Sequence, residues 1–161
     1  VPTLTIMYGL CGQPSGAEVI GDSLLRPFVR PPYRSRMTIP WKQTAASCEG
    51  TNEAIRAMAA RGVPLLAGTD SPAPGATYGA SLHGEMALLV RSGLTPTQAL
   101  VAATSAPARA FGLDDRGRIA PGRRADLLLV EGDPTSDIRN TRRIVRVWKR
   151  GVEAQRVRYG E

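Results

Sequence analysis

The stretch that decides the fold is GVPLLAGTD at residues 62–70. Its apolar part, residues 63–67, has the length and composition of a β-strand that is buried on both faces. Asp70 follows that strand directly, and a loop rich in glycine and proline comes after it. In parallel α/β folds, polar residues at the carboxyl ends of strands face the active site. Asp70 is therefore the candidate for a metal ligand or a proton-transfer group, although an aspartate there also commonly forms a turn.

Toward the C-terminus, the apolar pattern predicts three helices and then two strands. The helices are expected at about residues 81–92, 95–103 and 106–111. The second of them opens with TPTQ, which predicts a capping box with proline at the first helical position. Strands are expected at residues 125–130 and 144–149, and a hairpin turn follows the latter. An α/β region is thus followed by a small all-β tail.

Toward the N-terminus, the pattern is less regular. Residues 1–8 predict a strand, and residues 9–21 form a glycine-rich stretch. Residues 22–50 contain four prolines, which predicts a long loop with a helical turn or two. Apolar residues at helical spacing then predict a helix at residues 52–61. The stretch from residue 9 to residue 50 is a candidate lid.

Composition places the chain among ordinary globular proteins. Its 161 residues are 42% hydrophobic and 22% charged. No apolar run approaches the roughly 20 residues needed to cross a bilayer, and the N-terminus does not read as a signal peptide. We therefore expect no membrane association. Cys11 and Cys48 have neither CxxC spacing nor the density of a disulfide scaffold, so we predict two buried or incidental thiols.

The charge of the chain is strongly basic. Its net charge is +7, and the densest basic region spans residues 139–158. Such an excess can indicate a nucleic-acid surface, but only 5% of the residues are aromatic, which leaves few platforms for base stacking. We interpret the region as a solvated face and expect no nucleic-acid partner. A basic nucleic-acid-binding module with no catalysis is the alternative from another class.

Five motifs that occur in order carry a family resemblance: GVPLLAGTD at 62–70, SLHGEM at 81–86, GLTPTQAL at 93–100, ATSAPAR at 103–109 and GRIAPGRRADL at 117–127. Together they resemble the C-terminal portion of the amidohydrolase superfamily, in the branch of imidazolonepropionase-like and prolidase-like hydrolases.

The resemblance implies an α/β fold, namely the C-terminal part of a (β/α)8 TIM barrel followed by a small β-sandwich segment. Residues 1–112 would then supply the last strands and helices of the barrel, and residues 113–161 part of the sandwich. Residues 1–4 look like the seventh barrel strand of the same branch. In this family, the barrel holds one or two divalent metal ions, commonly zinc.

The resemblance also implies a function, the hydrolysis of a carbon–nitrogen bond in an amide, cyclic amide or dipeptide by metal-activated water. Asp70 would bind the metal and relay the proton. Deamination within the same superfamily is the alternative chemistry. His83, Ser71 and Tyr78 are candidates for contact with a small-molecule substrate, although His83 also fits a partly exposed histidine at a helix start. A cytoplasmic location is expected, and homo-oligomers are among the expected assemblies.

One departure from the family limits these expectations. The family binds its metals largely through histidines, whereas this chain has a single histidine, His83. It therefore cannot supply a site with three or four ligands that include several nitrogens. We expect the chain to be inactive by itself, with the other ligands on a missing N-terminal part or on another chain.

Overall fold

The structure of the protein is a computed structural model that describes residues 1–13, 15–39, 44 and 47–160. Parts of the predicted loop, at residues 40–43 and 45–46, lie outside the described residues. Two short 3-10 helices, Arg26–Phe28 and Ile138–Arg142, complement the main elements. Those elements are α1 (Leu4–Leu10), α2 (Ser15–Gly21), α3 (Pro31–Met37), α4 (Cys48–Ala60), α5 (Ala80–Arg91), α6 (Pro96–Ala103), α7 (Ser105–Ala110), β1 (Leu127–Val130), β2 (Ile144–Lys149) and β3 (Val152–Glu153).

The prediction of a strand at residues 1–8 is wrong from Leu4 onward, because residues 4–10 form helix α1. Leu4 and Tyr8 stand one helical turn apart, and their side chains are buried in the central core. The carboxylate of Glu85 accepts hydrogen bonds from the amides at the start of the helix. A β-prone composition was therefore overruled by tertiary contacts that satisfy the helix terminus.

The predicted strand at residues 63–67 is not part of a sheet in the structure. A strand needs a hydrogen-bonded neighbour, and the one sheet within the described ranges consists of β1, β2 and β3. Instead, the amide of Ala67 donates a hydrogen bond of 2.8 Å to the carbonyl of Ala102 in α6. The segment also runs beside the N-terminus, because a Cβ added at Gly68 would lie 2.5 Å from Cγ1 of Val1.

The helices predicted from local signals are confirmed. Helix α5 lies within one residue of its predicted bounds. Helix α6 has the predicted capping box, in which the Thr95 hydroxyl accepts from the Gln98 amide and the Gln98 side chain accepts from the Thr95 amide. Helix α4 begins earlier than predicted, at Cys48, because the Ser47 side chain caps it by accepting from the Gly50 amide.

The C-terminal sheet is antiparallel, with the strand order β1–β2–β3. Leu127 lies opposite Trp148, and Trp148 in turn lies opposite Glu153. The hairpin turn predicted at Arg150 and Gly151 is confirmed, and both residues adopt positive φ. The described residues form this one layer of sheet and not the two layers of a sandwich.

A central core joins α1, α4, α5 and α6. Its largest buried side chains include Leu4, Ile55 and Leu89. A polar network runs through it, because the hydroxyls of Tyr8 and Ser92 both donate to Oδ1 of Asn52, each over 2.7 Å. Because these buried polar groups are hydrogen-bonded to one another, the network fixes how α1, α4 and the end of α5 pack together.

A second, smaller cluster joins α2, α3 and the start of α5 through Val19, Leu25 and Met37. Backbones approach closely here, since a Cβ added at Gly16 would lie 2.7 Å from the carbonyl oxygen of Gly75 and would also collide with the carbonyl oxygen of Met37. No helix in the described part of the chain is both long and apolar enough to cross a membrane.

The prediction of two thiols is wrong, because Cys11 and Cys48 form a disulfide. Their Cα atoms are 5.6 Å apart, within the usual range for a disulfide. The bond ties the end of α1 to the start of α4. The sequence offered no spacing signal for it, since the two cysteines are 37 residues apart.

The disulfide predicts the outcome of thiol labelling. Iodoacetamide added to the unfolded chain without reductant is expected to modify neither cysteine, whereas after reduction it should modify both. Intact mass spectrometry measures the number of labels. A Cys48→Ser variant serves as the control, because its remaining Cys11 should be labelled without reductant. Two labels on the unreduced chain would contradict the disulfide.

Candidate functional site

Asp70 lies at the end of the segment 63–69, with an exposed side chain. Its φ is +52°, a left-handed backbone that few residues other than glycine, asparagine and aspartate adopt. Such conformations persist where the surrounding structure holds them, and they cluster at functional sites. No hydrogen bond or ion pair engages the Asp70 carboxylate within the described residues. The carboxylate is thus presented outward at a sharp turn of the chain.

Ser71 follows Asp70 directly, and its hydroxyl contacts the hydroxyl of Thr69, the residue before Asp70. The hydroxyls of Thr69 and Ser71 are 2.8 Å apart, so one donates to the other. The loop continues to Tyr78, whose side chain is exposed and makes an edge contact with the ring of Tyr33, with 6.0 Å between the ring centres. The loop after Asp70 thus has a hydroxyl next to the carboxylate and an aromatic ring further along.

His83 lies in the first turn of α5 and faces the C-terminal segment. Its Nδ1 is 3.0 Å from Oγ1 of Thr141. The pKa of His83 is lowered to about 4, first by burial of the ring and then by the charges of Arg142 and Arg156, against the opposing charge of Asp22. His83 is therefore neutral at neutral pH. No hydrogen bond in the described ranges joins it to Asp70 or Ser71.

This pKa predicts that the free energy of unfolding rises with pH between about 4 and 6.5. The pKa of His83 is 6.5 when unperturbed and about 4 in the folded chain, so the unfolded state binds more protons in this window. Protonation of His83 on acidification therefore destabilises the fold, whereas the raised pKa of Glu85 acts in the opposite direction. Urea unfolding between pH 5 and 6.5 measures the slope, which a His83→Gln variant should reduce. Equal slopes for the two proteins would contradict the prediction.

Glu85 is a residue whose importance sequence reasoning missed. Its side chain is fully buried, and its carboxylate accepts hydrogen bonds of 2.8 Å from the Leu4 amide, the Thr5 amide and the Thr5 hydroxyl. Burial raises the pKa of Glu85, and the hydrogen bonds from Leu4 and Thr5 offset part of that rise. A signal was present, because Glu85 lies on the same helical face as Leu88, Leu89 and Ser81.

The basic region at residues 139–158 makes many contacts within the molecule. Arg142 forms an ion pair of 2.8 Å with Asp22, and both side chains are largely buried. Arg139 pairs with Asp137 at 2.8 Å. Arg156 donates to the carbonyl of Ile144 and lies over the ring of Phe28. Part of the positive charge is therefore committed to holding the C-terminal segment in place.

The described residues do not form a metal centre by themselves. No group of three or more histidine, cysteine, aspartate or glutamate side chains within them is placed to hold a metal ion. Asp70 offers a single exposed carboxylate, and Nδ1 of His83 is bound to Thr141. Since a metal ion in a protein usually takes three or more protein ligands, Asp70 is at most one member of a larger set.

The chain matches the model of the amidohydrolase family over residues 15–154. Among curated proteins, the chain is 43% identical over 67 residues to the adenine deaminase of Ligilactobacillus salivarius, covering 42% of the chain and 12% of that protein. It is 40% identical over 85 residues to the imidazolonepropionase of Cereibacter sphaeroides, covering 52% of the chain and 21% of that protein. The chain thus spans about a fifth or less of these relatives.

Among solved structures, a Xaa-Pro dipeptidase with methionine bound in its active site resembles the chain, with a TM-score of 0.66. The similarity covers 96% of the chain and 34% of that structure, at 24% sequence identity. Identity at this level supports the likeness of fold alone.

Proposed function

The chain belongs to the amidohydrolase family, and from that premise we propose that it is part of an enzyme that hydrolyses a carbon–nitrogen bond in an amide, cyclic amide or dipeptide. The observation that carries the proposal is the outward carboxylate of Asp70, held in a left-handed turn at the end of GVPLLAGTD. Family membership extends over most of the chain, so Asp70 lies within the matched region.

The proposed architecture has residues 1–112 in the last part of a (β/α)8 barrel and residues 113–161 in a β-sandwich. Neighbouring barrel strands run side by side, and the contact between Val1 and Gly68 is consistent with two such neighbours. The antiparallel sheet of β1–β3 supports the second assignment. Completion of either unit requires strands beyond those in the described chain.

In the proposed reaction, Asp70 accepts a proton from the attacking water and then passes it to the leaving nitrogen. An exposed carboxylate with no internal partner is available for both transfers. Asp70 is also proposed as one oxygen ligand of a divalent metal, with zinc in one or two copies as the proposed identity. When bound, such an ion supplies Lewis-acid activation of water. Its other ligands have to come from outside the described residues.

Two further residues are proposed to contact the substrate. Ser71 lies next to Asp70 and has a hydroxyl that can donate or accept. His83 is placed in the first turn of the helix that follows the Asp70 loop. Both assignments depend on the substrate lying against this loop.

Deamination is the second candidate function, favoured by the likeness to an adenine deaminase. In both reactions, water attacks a carbon bonded to nitrogen. The proton transfer proposed for Asp70 in amide hydrolysis therefore also suits deamination. The products distinguish them, since deamination releases ammonia from a ring amine. The nucleic-acid-binding alternative stays a prediction, and the internal pairing of Arg139 and Arg142 does not favour it.

The location of the protein also stays a proposal. The cytoplasmic prediction is weakened by the disulfide between Cys11 and Cys48, because disulfides persist mainly in oxidising compartments. A homo-oligomer remains one of the proposed assemblies.

The test of the proposed function is metal removal from a complete protein that contains this chain. Such a protein is expected to hydrolyse at least one member of a panel of N-acyl amides, cyclic amides and dipeptides. Dialysis against a chelator should abolish turnover, and added Zn²⁺ should restore it. A ring-amine substrate assayed for ammonia tests the deaminase alternative. Turnover that survives complete metal removal, or none on any substrate, would refute the proposal.

A further inference from the structure

A cleft of about 350 Å³ lies between the loop before α5, the segment after α2 and the C-terminal tail. His83 is part of its wall, together with Arg156. Most of the remaining wall is apolar or aromatic and includes Leu25, Phe28, Tyr78, Ile144, Val157 and Tyr159. Pockets of this composition, with a small number of placed polar groups, are typical of small-molecule sites.

The hydrogen bonds around His83 determine which of its ring nitrogens carries the proton. Oγ1 of Thr141 is 2.7 Å from the carbonyl oxygen of Ile138. A carbonyl cannot donate, so the Thr141 hydroxyl uses its only proton there. The 3.0 Å contact between Thr141 Oγ1 and His83 Nδ1 therefore requires Nδ1 to be the donor.

The other ring nitrogen, Nε2, is consequently an acceptor in the neutral ring. Within the described residues it has no hydrogen-bonding partner, and it is not among the buried atoms sealed from solvent. The lowered pKa of His83 keeps this acceptor unprotonated at neutral pH. The charges that act on the ring are those of Asp22, Arg142 and Arg156.

We propose that this cleft binds an uncharged, largely apolar ligand whose N–H group donates a hydrogen bond to Nε2 of His83. The cleft has one cation in its wall, and the guanidinium of Arg156 is engaged with the Ile144 carbonyl and lies 3.8 Å from the centre of the Phe28 ring. A cationic ligand is repelled by this charge, whereas a neutral aromatic amide matches the apolar wall and can donate its N–H to the unpartnered Nε2 of His83.

The inference rests on the proposed function only in taking the ligand to be an amide. It adds the direction of the hydrogen bond: Nε2 of His83 accepts a hydrogen bond from the ligand. His83 does not serve as a general acid or a general base. Its test needs no turnover, so it can fail while the hydrolase proposal stands, and the reverse also holds.

The first measurement is nitrogen NMR of the chain labelled with ¹⁵N-histidine, which gives one signal per ring nitrogen because the sequence has a single histidine. At neutral pH, Nδ1 is expected to carry the proton and Nε2 to be unprotonated. The probe is then acetanilide, an aromatic amide with one N–H, and the matched control is N-methylacetanilide, which lacks that donor. Acetanilide should shift the Nε2 signal saturably and bind about three- to tenfold more tightly, the size expected for one hydrogen bond.

A variant provides the second measurement. His83→Phe keeps an aromatic ring but removes the acceptor, so the preference for acetanilide over N-methylacetanilide should disappear. A protonated Nε2 in the unmodified chain, equal binding of the two amides, or binding of neither would each overturn the proposal. If the variant fails to fold, the proposal is tested by the unmodified chain alone, through the tautomer of His83 and the titrations with acetanilide and N-methylacetanilide.

Discussion

Replacement of Asp70 by asparagine is expected to lower kcat of the complete enzyme by about 10²–10⁴-fold, the usual cost of removing a general base. Asparagine has nearly the same size and shape, but its amide cannot accept the proton of the attacking water. It also brings no negative charge to a divalent ion. The KM is expected to change much less, because the proposed substrate contacts are those of Ser71 and His83.

Asp114 provides the control for this experiment. It is an exposed aspartate in the turn after α7, and Asp114→Asn should leave kcat unchanged. The competing interpretation makes Asp70 a turn residue, for which asparagine is among the best replacements. The two interpretations therefore predict opposite results, with steady-state kinetics and metal analysis as the measurements. Normal turnover with normal metal content in Asp70→Asn would remove Asp70 from the mechanism.

Replacement of Glu85 by alanine should lower the free energy of unfolding of the chain by about 3 kcal/mol or more. The amides of Leu4 and Thr5 and the Thr5 hydroxyl would lose the acceptor they share. Each buried donor left unsatisfied costs about 1–3 kcal/mol, and the space vacated by the side chain adds a cavity penalty. Denaturant unfolding measures the difference.

Two variants sharpen this test. Glu85→Gln keeps one acceptor oxygen and should fall between the unmodified chain and Glu85→Ala. Glu53 is an exposed glutamate in α4, so Glu53→Ala should change stability by no more than about 0.5 kcal/mol. Equal effects of alanine at positions 85 and 53 would show that the buried carboxylate does not hold α1 against α5.

The elements that sequence reasoning predicted correctly are those whose signals are local. The capping box of Thr95 and Gln98 lies within four residues, and the hairpin turn involves the adjacent residues Arg150 and Gly151. The strands expected at residues 1–8 and 63–67 are different, because strand formation depends on a neighbour that no local pattern reveals. Residues 4–10 form a helix instead, and the amides at its start donate to the carboxylate of Glu85, which lies 80 residues from Thr5.

The candidate site divides in the same way. The position of Asp70 at the end of an apolar run was readable from the sequence, and its left-handed turn was not. The bond between His83 and Thr141 joins residues 58 positions apart, so neither the tautomer of the ring nor its lowered pKa could be read from the residues around it. Their origin is tertiary packing. The disulfide likewise depends on the meeting of two distant helix ends.

The close approach of the main chain of Met37 and Gly75 to Gly16 predicts which mutations position 16 tolerates. Every amino acid other than glycine carries a Cβ, and a Cβ here would collide with main-chain atoms of Met37 and Gly75. Main chain cannot move aside as a long side chain does, so any missense change of this codon displaces either the end of α3 or the loop that leads to α5. Among variants recovered from random mutagenesis under selection for a folded product, codon 16 should accumulate synonymous changes only.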